Sequence, residues 1–171
     1  MSSLKDKTLL LLGFLSHEQM HGYKLNQLLK LPSNSIQVGK ANAYKILAKF
    51  EEQGFVTHVE ESQRNRPSKT TYSITEAGKI EFKRLLLERL GEYQPFEYPD
   101  GVSLDFLALI EPQEALPLLL KRQECLAARC TTLQSYSDDI RTGHPGLNFL
   151  TLQAELEFEM LTKLIENLKG R

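Results

Sequence analysis

A short string near the start of the chain, His17-Glu18-Gln19-Met20-His21, has the spacing of a zinc hydrolase motif. On one continuous helix, two histidines four residues apart bind zinc, and the glutamate between them acts as general base. Here Gly22 follows the second histidine and Pro32 soon ends the helical pattern, while His58 and His144 have no supporting motif around them. We therefore reject a zinc hydrolase, and the sequence predicts no catalytic residue, no metal site and no cofactor.

The elements that surround this string are three helices, a hairpin and a longer helix. Apolar residues recur at helical spacing in the first three segments, and Gly54 ends the third. β-Branched and aromatic residues then mark two strands, and Thr75 caps the next helix. The predicted ranges are helices 4–15, 22–31 and 39–53, strands 55–59 and 70–74, and a helix over 76–92. The histidine string straddles the first helix break, where we expect Gly22 to allow a close approach and Tyr23 to pack in the core.

This order of elements is that of a helix-turn-helix followed by a basic hairpin. In such units the second helix of the pair enters the major groove, and its first residues meet base edges. Lysine and arginine neutralise phosphates and release counterions, whereas asparagine hydrogen-bonds base edges. A solvated charged face explains any single lysine, but a basic helix start combined with a basic hairpin tip favours DNA contact. The predicted DNA-binding residues are Ser35, Lys40, Asn42, Lys45, Lys49, Arg64, Arg66 and Lys69.

The charge of the chain is divided unequally between its halves. Residues 1–90 carry 14 Lys and Arg against 9 Asp and Glu, a balance of +5, whereas residues 91–171 carry 7 against 13, a balance of −6. A basic half joined to an acidic half suggests a polyanion-binding unit attached to a different module.

Cys125 and Cys130 fit no metal or disulfide pattern, and neither a secretory signal nor a membrane segment is visible. We expect a cytoplasmic protein.

Four stretches of the first half have an order and spacing that are typical of one family of regulators. They are Leu11-Leu12-Gly13-Phe14-Leu15, His21-Gly22-Tyr23-Lys24-Leu25, the segment from Tyr44-Lys45-Ile46-Leu47 to Phe50-Glu51-Glu52-Gln53-Gly54-Phe55-Val56, and Arg66-Pro67-Ser68-Lys69-Thr70-Thr71-Tyr72-Ser73-Ile74-Thr75-Glu76-Ala77-Gly78. Together they resemble the PadR family of bacterial winged-helix transcriptional regulators. The chain departs from the family at Val38-Gly39-Lys40-Ala41-Asn42, where a Ser-Pro-Gly-like turn often opens the recognition helix.

The resemblance implies a role for Tyr44 and a mode of action. It implies that Tyr44 lies near the DNA backbone, and the alternative is a core tyrosine that anchors the helix. It also implies a homodimer formed by the C-terminal helices, with repression as the usual mode. Some members of the family respond to phenolic acids.

The second half predicts helices that follow a linker rich in proline and aromatic residues. The linker covers 93–101, and helices are predicted over 102–110, 117–140 and 147–168. Apolar residues recur every seven positions from Leu119 to Ile140, and a second apolar row from Leu152 to Leu164 widens the face of the last helix. Two helices alone leave so wide a face exposed, so we expect a second copy of the chain to cover it. The predicted dimerisation residues are Leu119, Leu126, Leu133, Leu150, Phe158, Leu161 and Ile165.

Two arginines and a tyrosine suggest an effector site beside the stripe. Arg122, Arg129 and Tyr136 are spaced seven residues apart, and paired arginines can hold a carboxylate through two hydrogen bonds. The favoured interpretation is simpler, with salt bridges to a glutamate at position 155, 157 or 159. Both remain open from the sequence alone.

The sequence thus predicts a mainly α-helical chain with a small β-hairpin. An N-terminal winged helix-turn-helix domain covers 1–92, a linker 93–101, and a C-terminal α-helical dimerisation domain 102–171. The predicted function is a homodimeric, sequence-specific DNA-binding transcriptional regulator, a repressor relieved by a small molecule or another signal. Its expected partners are pseudo-palindromic double-stranded operator DNA, a second copy of the chain and a small-molecule effector, with no membrane. The alternative is a winged-helix protein-interaction module without DNA binding.

Overall fold

The chain divides into two units, Met1–Gln94 and Pro95–Arg171, and the computed structural model describes residues 3–61, 69–95 and 97–170. The first unit contains α1 (Leu4–His17), β1 (Met20–His21), α2 (Gly22–Leu28), α3 (Lys40–Glu52), β2 (Val56–Glu61), β3 (Lys69–Ile74) and α4 (Glu76–Gly91). The second contains α5 (Val102–Asp105), α6 (Pro112–Gln134), α7 (Asp138–Gly143) and α8 (Pro145–Lys169), with 3-10 turns at Pro99–Gly101 and Leu107–Leu109. Within the described ranges, no helix is long and apolar enough to cross a bilayer.

Helix α1 begins at a capping box and is joined to α4 by ion pairs. The Ser3 hydroxyl accepts a hydrogen bond from the Asp6 backbone N–H, and the Asp6 carboxylate accepts one from the Ser3 backbone N–H, each at 3.1 Å. Two N–H groups that a helix start leaves unpaired are thereby satisfied. Asp6 also pairs with Arg89 Nε at 2.8 Å, and Lys5 Nζ pairs with Glu88 at 2.8 Å. These contacts hold the first turn of α1 against the end of α4.

The core of the first unit is built from the inner faces of its helices. Leu11, Leu12 and Leu15 of α1, Leu25 of α2 and Leu47 of α3 are at most 2% exposed. Helix α2 ends at Leu28, earlier than the predicted residue 31. The backbone N–H groups of Lys30 and Leu31 bond to the carbonyls of Gln27 and Leu28, three positions back, which tightens the chain before the proline that follows.

The sheet has three antiparallel strands in the order β1-β3-β2, whereas the sequence predicted a hairpin of two. The additional strand β1 places Met20 opposite Tyr72 and His21 opposite Thr71. A strand of two residues has no alternation to detect, so the periodicity of the sequence could not reveal it.

The turn from α3 into the sheet depends on one glycine. Gly54 has φ +72°, the left-handed region that residues with a Cβ rarely adopt. It reverses the chain into β2, which pairs with β3 from Val56 opposite Ile74 to Glu61 opposite Lys69. The predicted strand 70–74 lies within β3, whereas the predicted strand 55–59 begins one residue before β2 and β2 ends two residues later than predicted.

In the second unit, α6 and α8 pack against each other around a separate core. The buried residues include Leu119, Leu126 and Leu133 of α6 and Leu161 and Ile165 of α8. Pro112 suits the first position of α6, because its missing N–H has no partner there in any helix.

The helices of the second unit differ in extent from those predicted. Helix α6 ends at Gln134, six residues before the predicted end, so Ile140 leaves the heptad stripe, lies in α7 and is 44% exposed. The helix predicted over 102–110 is also shorter, because α5 ends at Asp105 and a 3-10 turn follows it. Helix α8 starts at Pro145, two residues before the predicted start.

Candidate nucleic-acid interface

Helix α3 has an apolar inner face, a basic outer face and a further lysine at its first residue. Ala43, Ile46, Leu47 and Phe50 are buried in the core. The exposed residues include the three lysines predicted to bind DNA, Lys40, Lys45 and Lys49. Lys45 and Lys49 are four positions apart and are therefore neighbours on the helix surface.

The three lysines of α3 have no carboxylate partner among the residues that the structure describes. Several basic residues of α1 and α4 differ in this respect. Lys5, Arg84 and Arg89 each contact a carboxylate at 2.7 to 2.9 Å. The positive charge of α3 is thus not neutralised by described neighbours and can attract an external polyanion.

The start of α3 adds a partial positive charge to that of the lysines. Gly39 precedes the helix and has no side chain that could cap it. The N–H groups of the first turn of a helix have no intrahelical partner, and the macrodipole makes this end attractive to phosphate. Lys40 lies at this end, and Ser35 is exposed in the loop that leads to it.

The other predicted DNA-binding residues differ in accessibility. Asn42, in the first turn of α3, is half-buried, whereas Lys69, at the start of β3, is exposed. Arg64 and Arg66 lie outside the described residues.

The hydroxyl of Tyr44 connects α3 to α2. It accepts a hydrogen bond from Asn26 Nδ2 at 3.0 Å and donates one to the Gly22 carbonyl at 3.4 Å. The half-buried ring lies 6.4 Å from the ring of Tyr72, and Lys40 Nζ lies 6.0 Å from its centroid. These contacts are those of an anchoring tyrosine, the alternative that the sequence left open. The sequence predicted the close approach at Gly22 but gave no signal for Asn26.

The histidine string that resembles a zinc motif does not lie on one continuous helix. His17 is the last residue of α1, whereas His21 precedes α2 and its Nδ1 lies 2.7 Å from Thr71 Oγ1. Across the described part of the chain, no group of three or more His, Cys, Asp or Glu residues is arranged to hold a metal ion.

The prediction that Tyr23 packs in the core is wrong, since it is 75% exposed. It lies about 200° around α2 from the buried Leu25.

Residues 11–84 match the model of the family described as "Transcriptional regulator PadR-like family". The first unit belongs to the PadR-like family. The matched span begins in α1 and ends in α4, so it includes α3 and the sheet. The family predicted from the four sequence stretches is confirmed. No protein of curated function matches the chain.

Solved PadR-like structures have the same fold over nearly the whole chain. PadR from Bacillus subtilis in complex with operator DNA is 20% identical, with a TM-score of 0.76 over 95% of this chain and 98% of that one. A PadR-like regulator from Bacillus cereus is 19% identical, with a TM-score of 0.78 over 98% and 97%. The B. subtilis protein in complex with p-coumaric acid is 17% identical, with a TM-score of 0.69 over 99% of this chain and 99% of that one. At these identities the likeness establishes the fold, and the predicted fold class, a winged-helix unit followed by a helical one, is confirmed.

In the second unit, neighbouring residues hold the guanidinium of Arg122. It donates to the Asp100 carbonyl at 3.2 Å, lies 3.6 Å from Glu157 Oε1 and contacts the Tyr98 hydroxyl, with the Tyr98 ring centroid 5.7 Å away. Tyr98 in turn donates to Glu157 at 2.7 Å. Burial, together with the Glu157 carboxylate, raises the pKa of Tyr98 to about 12. Arg122 therefore makes a salt bridge of the predicted kind.

The remaining predicted effector residues are not joined to Arg122 by a contact between described side chains. Arg129 is exposed on α6. Tyr136 lies past the end of α6, half-buried against the core of the second unit. The heptad spacing that linked the three residues in the sequence ends where α6 ends.

The seven predicted dimerisation residues are used inside a single chain. Leu119, Leu126, Leu133, Leu161 and Ile165 are buried in the core that α6 and α8 share, and Leu150 and Phe158 are half-buried against it. This differs from the expectation that they meet a second chain, because α6 and α8 of one chain cover each other. The outer row of α8 is exposed instead, with Phe149 at 70%, Leu152 at 56%, Leu156 at 60% and Met160 at 59%.

Proposed function

We propose that this PadR-like protein is a sequence-specific DNA-binding transcriptional regulator that acts as a homodimer. The observation that carries the proposal is the outer face of α3, where exposed lysines without described carboxylate partners lie on a helix with an uncapped N-terminus. In helix-turn-helix proteins the second helix of the pair enters the major groove. In this chain α3 holds that position, and Asn42 in its first turn supplies the amide that base readout uses.

The hairpin of β2 and β3, here called the wing, supplies the second part of the proposed contact. Lys69 is exposed at the first residue of β3, and Arg64 and Arg66 precede it in the sequence. Basic residues at this place would bind phosphates beside the groove that α3 enters, which positions the protein without reading bases. The proposal is supported by the solved complex of B. subtilis PadR with operator DNA, which has the same fold.

We propose that the outer row of α8, from Phe149 to Met160, is covered by a second copy of the chain. Four large apolar side chains at spacings of three and four residues form one continuous strip. Burying each stabilises an association by roughly 1.5 to 3 kcal/mol before the entropy of association is subtracted. A symmetric contact buries the strip twice, and a two-fold dimer matches a pseudo-palindromic operator.

Repression and release by a small molecule complete the proposal. The solved complex of B. subtilis PadR with p-coumaric acid makes aromatic carboxylic acids the first class to test. A carboxylate that binds Arg122 must displace Glu157, whereas Arg129 is exposed. We expect p-coumaric acid to release a labelled operator from the parent protein. We expect this release to be weaker in Arg122→Gln or Arg129→Gln. Release that is equal in the parent and in both variants would remove these arginines from the effector site.

The DNA-binding proposal is tested by neutralising the outer face of α3. The variant with Gln at positions 40, 45 and 49 keeps helix propensity and the buried face, so we expect an unchanged fold and a loss of binding to duplex DNA in a fluorescence-anisotropy titration. Lys83→Gln, which replaces an exposed lysine of α4, is the matched control. If the parent binds no DNA at low salt, the chain is better described as a protein-interaction module.

The dimer proposal is tested by sedimentation. Leu156→Glu places a charge in the exposed strip of α8 without touching the core, so we expect it to convert the dimer to a monomer. Val59→Glu changes a residue of similar exposure, 63%, on β2 and serves as control. A Leu156→Glu protein that sediments as the parent does would show that this strip is not the contact.

A further inference from the structure

The contact between Tyr44 and α2 involves more than the burial of a ring. The hydroxyl is bonded at the same time to the Asn26 side chain and to the Gly22 carbonyl. Asn26 Nδ2 makes its described hydrogen bond to this hydroxyl, while Asn26 Oδ1 is buried without a partner in the described ranges. A half-buried amide is therefore tied to its surroundings through Tyr44.

The backbone of α2 comes so close to this hydroxyl that any side chain at position 22 would clash with it. A Cβ placed on Gly22 would lie 2.8 Å from the Tyr44 hydroxyl oxygen, and its next neighbours are ring atoms of the same residue at 3.7 and 3.9 Å. The first distance is too short for a contact between carbon and oxygen, whereas the other two are ordinary contacts. A methyl group at position 22 thus clashes with the hydroxyl oxygen alone, and the two can be accommodated only if one of them shifts.

We propose that Gly22, Asn26 and Tyr44 form a clamp that fixes the angle between α2 and the DNA-reading helix α3. Tyr44 is in this view a positioning residue, which acts on base readout through the orientation of α3. The residues that contact bases lie on α3, so a small rotation of this helix misplaces them all while leaving the lysines near phosphates. The clamp therefore contributes to discrimination between sequences more than to affinity for DNA in general.

Two substitutions probe the clamp from opposite sides. Tyr44→Phe keeps the ring and removes both hydrogen bonds. Gly22→Ala keeps the hydroxyl but pushes it out of place, although alanine is otherwise the better residue in a helix. Since both changes break the same contact, their combination should resemble Tyr44→Phe alone, and the methyl group that Gly22→Ala adds should be tolerated once the hydroxyl is gone.

The first measurement is a thermal unfolding cycle of the parent, the two single variants and the double variant. We expect the change in Tm caused by Gly22→Ala to be about 4 to 8 °C more positive in Tyr44→Phe than in the parent. This is the shift that one broken contact produces in a domain of this size. Equal changes in the two backgrounds would overturn the clamp. This measurement does not depend on DNA binding.

The second measurement rests on the proposed function and uses the ratio of affinities for selected and unrelated duplexes. We expect each single variant to lower this ratio about tenfold, as the loss of a buried hydrogen bond does, and the double variant to lower it no further. If Tyr44 instead touched the DNA backbone directly, Tyr44→Phe would weaken binding to both duplexes equally and Gly22→Ala would have no effect. That result would overturn the positioning role. A parent that binds no duplex contradicts the proposed function, while the unfolding cycle still decides the clamp.

Discussion

Lys45 offers a quantitative test of how α3 uses its charge. The residue is exposed, has no carboxylate partner in the described ranges, and lies opposite the buried Ile46, Leu47 and Phe50. Lys45→Gln removes its charge and keeps a side chain of good helix propensity. We therefore expect little change in stability, within about 0.5 kcal/mol. The effect should appear in the salt dependence of DNA binding.

The size of the change in salt dependence follows from counterion release. Each phosphate neutralised by the protein contributes about 0.9 to the slope of log K against log salt concentration. A dimer carries Lys45 twice, so the variant should have a slope smaller by about 1.8. Between about 50 and about 200 mM salt, the affinity of the parent should fall roughly tenfold further than that of Lys45→Gln.

The assay is a fluorescence-anisotropy titration of one labelled duplex at four or more salt concentrations. Lys83→Gln on α4 is the control, because it removes an exposed lysine that likewise lacks a described carboxylate partner. We expect the control to keep the slope of the parent. An equal slope in parent and Lys45→Gln would refute the assignment of Lys45 to a phosphate. A change of only about 0.9 would mean that one copy of the residue contacts the DNA, against the dimer.

Three further predictions concern stability. Gly54→Ala should lower the free energy of unfolding by roughly 1 to 2 kcal/mol in chemical denaturation, since Gly54 has φ +72°. Leu133→Ala should lower it by about 2 to 5 kcal/mol, because Leu133 is 0% exposed in the second core. Burial opposes ionisation of Asp6, but hydrogen bonds from Ser3 and Arg89 outweigh it and lower the pKa of Asp6 below its ordinary value. The resulting stability is present above the unfolded pKa and is lost as pH falls through the folded one, so Asp6→Asn should flatten the decline of stability below about pH 4.

The sequence predicted the elements with strong local signals and missed those set by packing. Gly54 and Thr75 marked a helix end and a helix start that the structure has. The two residues of β1 have no periodicity, and their pairing with β3 joins positions about 50 residues apart in the sequence. Tyr23 was placed in the core because it is aromatic, but the orientation of α2 is set by Leu25 and leaves Tyr23 75% exposed.

The residues of the candidate sites likewise divide into those that the sequence predicted and those that it could not predict. The lysines of α3 were predicted as DNA contacts from charge and helix order, since both are visible in the sequence, and the structure places them on the exposed surface of α3. The heptad leucines from Leu119 to Leu133 were correctly predicted to face a helix, but a heptad does not specify whether that helix belongs to the same chain. In the structure it does, as they pack in the core shared with α8. The partners of Tyr44 could not be predicted either, because a hydroxyl that meets a glycine backbone leaves no pattern.

The central claim, that α3 reads an operator while the wing binds the phosphates beside it, is tested most directly by selecting bound duplexes from a random pool. We expect the parent protein to enrich a pseudo-palindrome with half-site centres about 10 base pairs or a multiple of that apart. We expect the variant with Gln at positions 40, 45 and 49 to enrich nothing. A pool that stays random with the parent protein, or an equal enrichment by that variant, would contradict the claim.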